Sequence, residues 1–183
     1  MSEEMLVCHC SPTLAGLKTG SLFSCPYSSQ KMIIKEIREF NQKLTQKGIR
    51  IIPVRISDKR MLVYVYRPEK LKEDFSDEKT QIILKCKGYD CTNLSQCICR
   101  LIQKLQSDPD FPHEIGLFLG YPAEDVKGFI ENKAACSKCS GCWKVYGDEQ
   151  AARILFKKYK KCTEIYCRIW KSGVAVEQLT ITI

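Results

Sequence analysis

The sequence predicts an α+β (or α/β) fold: a single compact domain over residues 1–183, with a small mixed sheet that includes one antiparallel hairpin, flanked by several helices. Three observations predict it. Segments with apolar residues at helical spacing are interspersed with short β-branched or aromatic runs. Two of those runs, at 49–56 and 61–66, flank the polar Ser57-Asp58-Lys59-Arg60, which marks a hairpin with a four-residue loop. No repeat, long linker or low-complexity tract divides the 183 residues, a length ordinary for one domain.

Along the chain, residues 8–25 are apolar and rich in small side chains, with Pro12, Gly16, Gly20 and Pro26 as breakers. Residues 29–47 carry Ile33, Ile37, Phe40 and Leu44 at helical spacing; serines precede them as N-cap candidates and Gly48 follows as a stop. Pro53 in the first hairpin strand predicts an edge position or a bulge. Pro68 can open a short helix, because a first helical position does not need the missing N–H. Helices are expected at 77–87 and 93–106, the second stopped by Asp108-Pro109. Residues 114–119 form a short buried-strand candidate. After Gly120-Tyr121-Pro122 a helix opens with Glu124 and Asp125 in its first turn, and Val126, Phe129 and Ile130 on its inner face. Residues 143–146 read as another short strand. Asp148 then caps a long basic helix over 149–171, with a break expected near Cys162 and an end at Gly173. The last residues, 174–183, fit a strand or a short helix.

Composition excludes several classes. Apolar residues at 44% and charged residues at 27% are incompatible with disorder or collagen-like repeats. No apolar run reaches the roughly 18–20 residues of a membrane span, and the start, Met-Ser-Glu-Glu-Met, is acidic where a secretory signal is basic. A cytoplasmic protein without a membrane role is the expectation. In that reducing setting the 12 cysteines should be free, metal-bound or catalytic, not a disulfide framework. Cys97, in line with Leu94, Leu101 and Leu105, is expected in the core, and so is Cys86 after Ile82 and Ile83. The net charge of +8 is concentrated: residues 133–171 hold ten Lys/Arg against three Asp/Glu. That segment is a solvated helix face, or a surface for phosphates or nucleic acid.

Four groups of residues could carry chemistry. Cys136, Cys139 and Cys142, with two residues between each and the next, let one loop wrap an ion or an iron–sulfur cluster. The chain lacks the cysteine and proline that continue a ferredoxin run. A fourth ligand would come from Cys162, Cys167, Cys10, Cys25 or His9, and zinc on Cys139 and Cys142 fits the spacing equally. A thiol/disulfide pair at Cys139 and Cys142, or plain free thiols, are the other readings. Second, His9 between Cys8 and Cys10, followed by Lys18 and Thr19, suggests an anion site, although the glycine spacing of a phosphate loop is not met; a small-residue segment packed on a sheet fits the same residues. Third, His113-Glu114 pairs an imidazole with a carboxylate suited to proton transfer or metal support, unless the two point to opposite faces as strand neighbours do. Fourth, Lys157, Lys158, Lys160 and Lys161 could contact phosphates while Tyr159, Tyr166 and Trp170 stack bases, though the spacing turns these aromatics partly toward the core.

Three stretches resemble a known family: residues 9–19 (HCSPTLAGLKT), 113–126 (HEIGLFLGYPAEDV) and 141–148 (GCWKVYGD). The chain is similar over nearly its whole length to domain-of-unknown-function family 3793, found largely in anaerobic bacteria. The resemblance carries no established activity. It places Cys139, Cys142, His9 and His113 within the family motif and Cys136, Cys8 and Cys25 outside its secure part, which favours a two-cysteine contribution. An anaerobic setting also suits an oxygen-sensitive iron–sulfur site.

The expected function is therefore a protein that binds a metal ion or iron–sulfur centre through Cys136, Cys139, Cys142 and Cys162. Its role would be redox or sensing, with a redox partner protein. The first alternative is an enzyme in which His9, His113 and Glu114 act on a small anionic substrate held by Lys18 and Thr19. The second is nucleic-acid binding through the basic helix.

Overall fold

A computed structural model describes residues 1–107 and 111–182. It is α+β: short antiparallel sheets among mostly helical elements. The expected stop at Asp108-Pro109 lies outside the described residues. The chain divides into two compact units, Met1–Glu69 with Tyr159–Ile183, and Lys70–Lys158.

The first unit is built on a three-stranded antiparallel sheet of β1 (Gly20–Pro26), β2 (Arg50–Ile56) and β3 (Arg60–Tyr66), in the order β1-β3-β2. The hairpin is the expected one. Pro53 lies on the edge strand β2, where the register shifts between Pro53 and Arg55. A missing ladder N–H is tolerated at such a position. Alternation places Phe23 and Cys25 opposite Val63 and Met61, and these pairs line one core face with Ile51 and Val65. Helix α2 (Gln30–Leu44), with a 3-10 turn (Thr45–Lys47) before Gly48, covers that core with Ile33, Ile37 and Leu44. The Asn41 side-chain amide both donates to the Ile51 carbonyl (2.7 Å) and accepts from the Ile51 N–H (2.9 Å), satisfying two groups of the edge strand.

Helix α1 (Glu3–Leu14) runs through much of the stretch that the breaker residues mark as irregular. Ser2 caps it, Glu3 and Glu4 suit its first turn, and Leu6, Val7, Cys10 and Leu14 form its buried stripe. Pro12 sits in the last turn, where its ring forfeits one bond to the Cys8 carbonyl. The carbonyls at the helix end find partners elsewhere. Those of Thr13 and Leu14 accept from the Arg67 guanidinium, each at 2.7 Å. The Pro12 carbonyl accepts from the Leu17 and Lys18 N–H groups, and Leu14 also from Ile181. Arg67 is buried and also reaches the Lys47 (3.0 Å) and Ile181 (2.9 Å) carbonyls.

The second unit packs α4 (Glu78–Cys86), α5 (Leu94–Ser107), α6 (Ile115–Phe118) and α7 (Ala123–Asn132), preceded by the Pro68-led α3 (Pro68–Asp74). Asp77 caps α4 by accepting from the Thr80 N–H at 2.8 Å. Cys97 is buried with Leu101 and Leu105, as its periodicity implies. Cys86 is exposed, a correction: α4 turns Leu84 inward, and Ile82 and Cys86 outward. Residues 114–119 are a second correction. They form the short helix α6 and its flanking turns, because an apolar run buried on all sides carries no alternation that separates strand from helix. Phe118 is fully buried there, edge-on to Phe75 at 5.0 Å.

A two-stranded hairpin, β4 (Cys139–Ser140) and β5 (Lys144–Val145), leads into α8 (Glu149–Lys171). Asp148 caps α8 by accepting from the Ala151 N–H at 3.0 Å. This helix continues without the expected break near Cys162, and its second half belongs to the first unit. Residues 176–179 resolve the last ambiguity as the short helix α9 (Val176–Leu179). Among the described residues no helix is long and apolar enough to cross a membrane.

Candidate functional site

A candidate site lies inside the second unit, where two of the sequence motifs meet. Asp125, in the first turn of α7, is buried and accepts three hydrogen bonds from the 143–147 segment. One carboxylate oxygen takes the Trp143 indole N–H at 2.6 Å; the other takes the Tyr146 and Gly147 backbone N–H groups, each at 2.7 Å. A charged acceptor with three donors is a strong local anchor. It fixes the hairpin on α7 and holds the Trp143 ring in place.

Close backbone approach does the rest. A Cβ on Gly128 would lie 2.4 Å from the Tyr146 ring, and one on Gly141 would lie 2.3 Å from the Phe156 ring. Trp143 is stacked on Tyr121 (4.7 Å between centroids) and edge-on to Phe156 (4.6 Å).

These contacts enclose a cavity of about 340 Å³. Ile115, Leu119, Tyr121, Val126, Phe129 and Trp143 supply apolar wall, and His113, Ser140 and Lys144 supply polar groups. His113 is exposed, with its ring edge-on to Phe129 at 4.9 Å. The Lys144 ammonium donates to the Ala134 carbonyl at 2.6 Å, which leaves two of its three donors for other partners. The loop it braces holds Lys133, Ala134 and Cys136 in the left-handed region (φ 47°, 68° and 58°). Tyr146 steadies the same loop by donating to the Ala135 carbonyl at 3.0 Å.

Glu114 turns away from His113 to a cluster of its own. Its carboxylate accepts from the Lys104 ammonium at 2.7 Å and from the Tyr89 hydroxyl at 3.1 Å. Burial acts to raise the Glu114 pKa, but the Lys104 and Tyr89 bonds outweigh it and hold the carboxyl below its ordinary value. Burial, reinforced by the Glu114 charge, pushes the Tyr89 hydroxyl up.

The cysteine segment runs from the loop before this hairpin into it. Cys139 is half-buried at the start of β4, and Cys136 and Cys142 are exposed. Cys162 belongs to the first unit, where it is buried in α8 and burial pushes its thiol up to about 11. Among the described residues no three His, Cys, Asp or Glu side chains are grouped to hold a metal ion. His9 also lies in the first unit, exposed on α1 and stacked on Phe23 at 5.0 Å. Lys18 and Thr19 form the turn between α1 and β1, and the Thr19 carbonyl accepts from the Arg67 N–H at 2.9 Å. Lys157, Lys158, Lys160 and Lys161 are exposed on α8, whereas Tyr159 is buried and Tyr166 and Trp170 pack on the core of the first unit.

Sequence reasoning missed Asp125 and Arg67 as organisers. Asp125 in a helix first turn reads as a dipole partner, and its second role needs the hairpin to arrive from 18 residues away. Arg67 gave no signal beyond its place at the end of an apolar strand.

The fold and this motif-built pocket define a small α+β protein with a candidate ligand site. Residues 6–180 match the family model described as "Protein of unknown function (DUF3793)", and the chain belongs to that family. No curated protein and no solved structure matches it.

Proposed function

We propose that the second unit binds a small, flat, largely apolar molecule carrying one anionic group. One observation carries this reading. The cavity beside Trp143 is apolar on most sides, and the carboxylate lining it, Asp125, has both oxygens taken by donors. His113, Ser140 and Lys144 remain to meet a ligand, and two of these favour negative charge. The volume suits a ring system at the small end of ordinary ligand sites.

The test is a fluorescence titration with a panel of aromatic carboxylates in the Trp170→Phe background, which leaves Trp143 as the reporter. A saturable change with a Kd of roughly micromolar order is expected. His113→Ala should weaken binding about tenfold, and Ser140→Phe at the exposed mouth should block it. A folded protein whose Trp143 emission ignores the whole panel would overturn the reading.

A second reading keeps the cysteine segment in play. Three thiols lie within seven residues, Cys139 and Cys142 on one tight hairpin and Cys136 in the loop before it, and this supports a metal ion or iron–sulfur centre completed by further ligands. Anaerobic purification with iron, zinc and acid-labile sulfide analysis tests it. Metal lost in the Cys139→Ser, Cys142→Ser variant supports it, and metal content unchanged by that variant would refute it.

A further inference from the structure

Two cysteines far apart in sequence face each other within the first unit. Cys8 on α1 and Cys167 on α8 are 159 positions apart, yet their sulfurs are separated by 3.8 Å. The register that brings them together is fixed from both sides. The Trp170 indole N–H donates to Glu3 at 3.3 Å, and the Tyr159 hydroxyl donates to the Leu17 carbonyl at 3.4 Å. The two helical segments therefore run antiparallel, with the thiols between these bonds. Cys8 is exposed and Cys167 partly so. A disulfide needs about 2.0 Å between sulfurs, and a side-chain rotation can supply an approach of that size.

We infer that Cys8 and Cys167 form a thiol–disulfide exchange site that closes a covalent bridge between α1 and α8 when an external disulfide is supplied. The exposed Cys8 thiolate attacks one sulfur of the incoming disulfide, forms a mixed disulfide and releases one thiolate. The Cys167 thiolate then attacks the Cys8 sulfur, forms the internal bond and releases the second. Two electrons pass from the cysteines to the external disulfide, and the two cysteine protons end on the two released thiols.

The other cysteines provide the contrast. Cys91 and Cys97 form a second thiol pair, in the other unit, but Cys97 is buried and donates its S–H to the Asp90 carbonyl. Burial, with the neighbouring Cys91, pushes the Cys97 thiol up to about 11. Burial, then the Cys167 thiol and Glu4, also raise the Cys8 thiol, against an opposing pull from Lys171. Cys8 is the one fully exposed thiol of the two pairs, Cys91 and Cys167 being only partly so, and mild alkali supplies its thiolate.

The experiment treats the full reduced chain with oxidised glutathione at about pH 8.5, removes excess reagent, and maps disulfides by mass spectrometry of an unreduced digest. The expected product is a peptide pair joining Cys8 to Cys167, absent from Cys8→Ser and from Cys167→Ser. Closing so long a loop should raise the Tm by roughly 10 °C, reversibly on reduction. The wild-type map decides the matter even if a variant folds poorly. Stable glutathione on Cys8 with Cys167 still free would overturn the inference, as would Cys8 bridged to any other cysteine or no oxidation at Cys8.

Discussion

In the sheet-bearing unit the buried guanidinium of Arg67 is met by backbone carbonyls of Thr13, Leu14, Lys47 and Ile181, whereas in the helical unit the buried carboxylates of Asp125 and Glu114 are met by side chains and loop amides. Each arrangement satisfies a charge that would otherwise be costly to bury. Their consequences differ. Arg67 closes the C-terminal end of α1 and ties three stretches of backbone together, so it serves the fold. Asp125 holds a hairpin in a position that leaves space beside Trp143, so it shapes a cavity. The location of each buried charge thus separates the part of the molecule that holds shape from the part that offers a site.

The comparison is broken most severely by Arg67→Met, which strands several backbone carbonyls at once. Stability in urea should fall by about 3–5 kcal/mol, and a loss under about 1 kcal/mol would show that water replaces the guanidinium without penalty. Asp125→Ala should cost about 2–4 kcal/mol and free the Trp143 ring, seen as a red-shifted emission in the Trp170→Phe background. Asp125→Asn, which keeps one acceptor oxygen, should lose less. Unchanged Trp143 emission in the Ala variant would show that aromatic packing alone holds the hairpin.

A smaller effect sharpens the same point. Gly128→Ala puts a methyl group into the Tyr146 ring and should cost about 1–3 kcal/mol by overpacking. A neutral result in thermal melts would mean that the ring moves freely aside.

The smallest effect is conditional on pH. Glu114 has its carboxyl held below the ordinary 4.5, so its ion pair with Lys104 contributes stability fully above that value and loses it as pH falls through the lower folded value. Glu114→Gln should cost about 1–3 kcal/mol at neutral pH and less as the pH falls below about 4.5. Equal costs at pH 7 and pH 3 would place the loss in packing and not in charge.

Much of the fold was legible because one-sided burial writes a period into the sequence. The hairpin with its Pro53 bulge, the stripe of α2, the Asp148 cap and the core position of Cys97 all follow from local rules. The failures share a cause. Helix α1 carries a proline in its last turn and α6 is buried all round, so no local period identifies them; α4 is the expected helix, but it carries more apolar side chains than it buries, which misplaced Cys86. Half of the pocket was visible: His113 stood out by residue type, and the 113–126 and 141–148 motifs stood out as blocks. Their meeting through Asp125 and the facing of Cys8 and Cys167 depend on contacts between segments distant in the chain, which no local spacing encodes.

The most direct test of this account is a ¹H–¹⁵N correlation spectrum recorded while the aromatic carboxylate of highest affinity is titrated in. The account predicts progressive shifts at the Trp143 indole N–H, at Gly116 and at Gly141, with the amides of β1, β2 and β3 unmoved. Shifts centred on the sheet, or none in either unit at millimolar ligand, would contradict it.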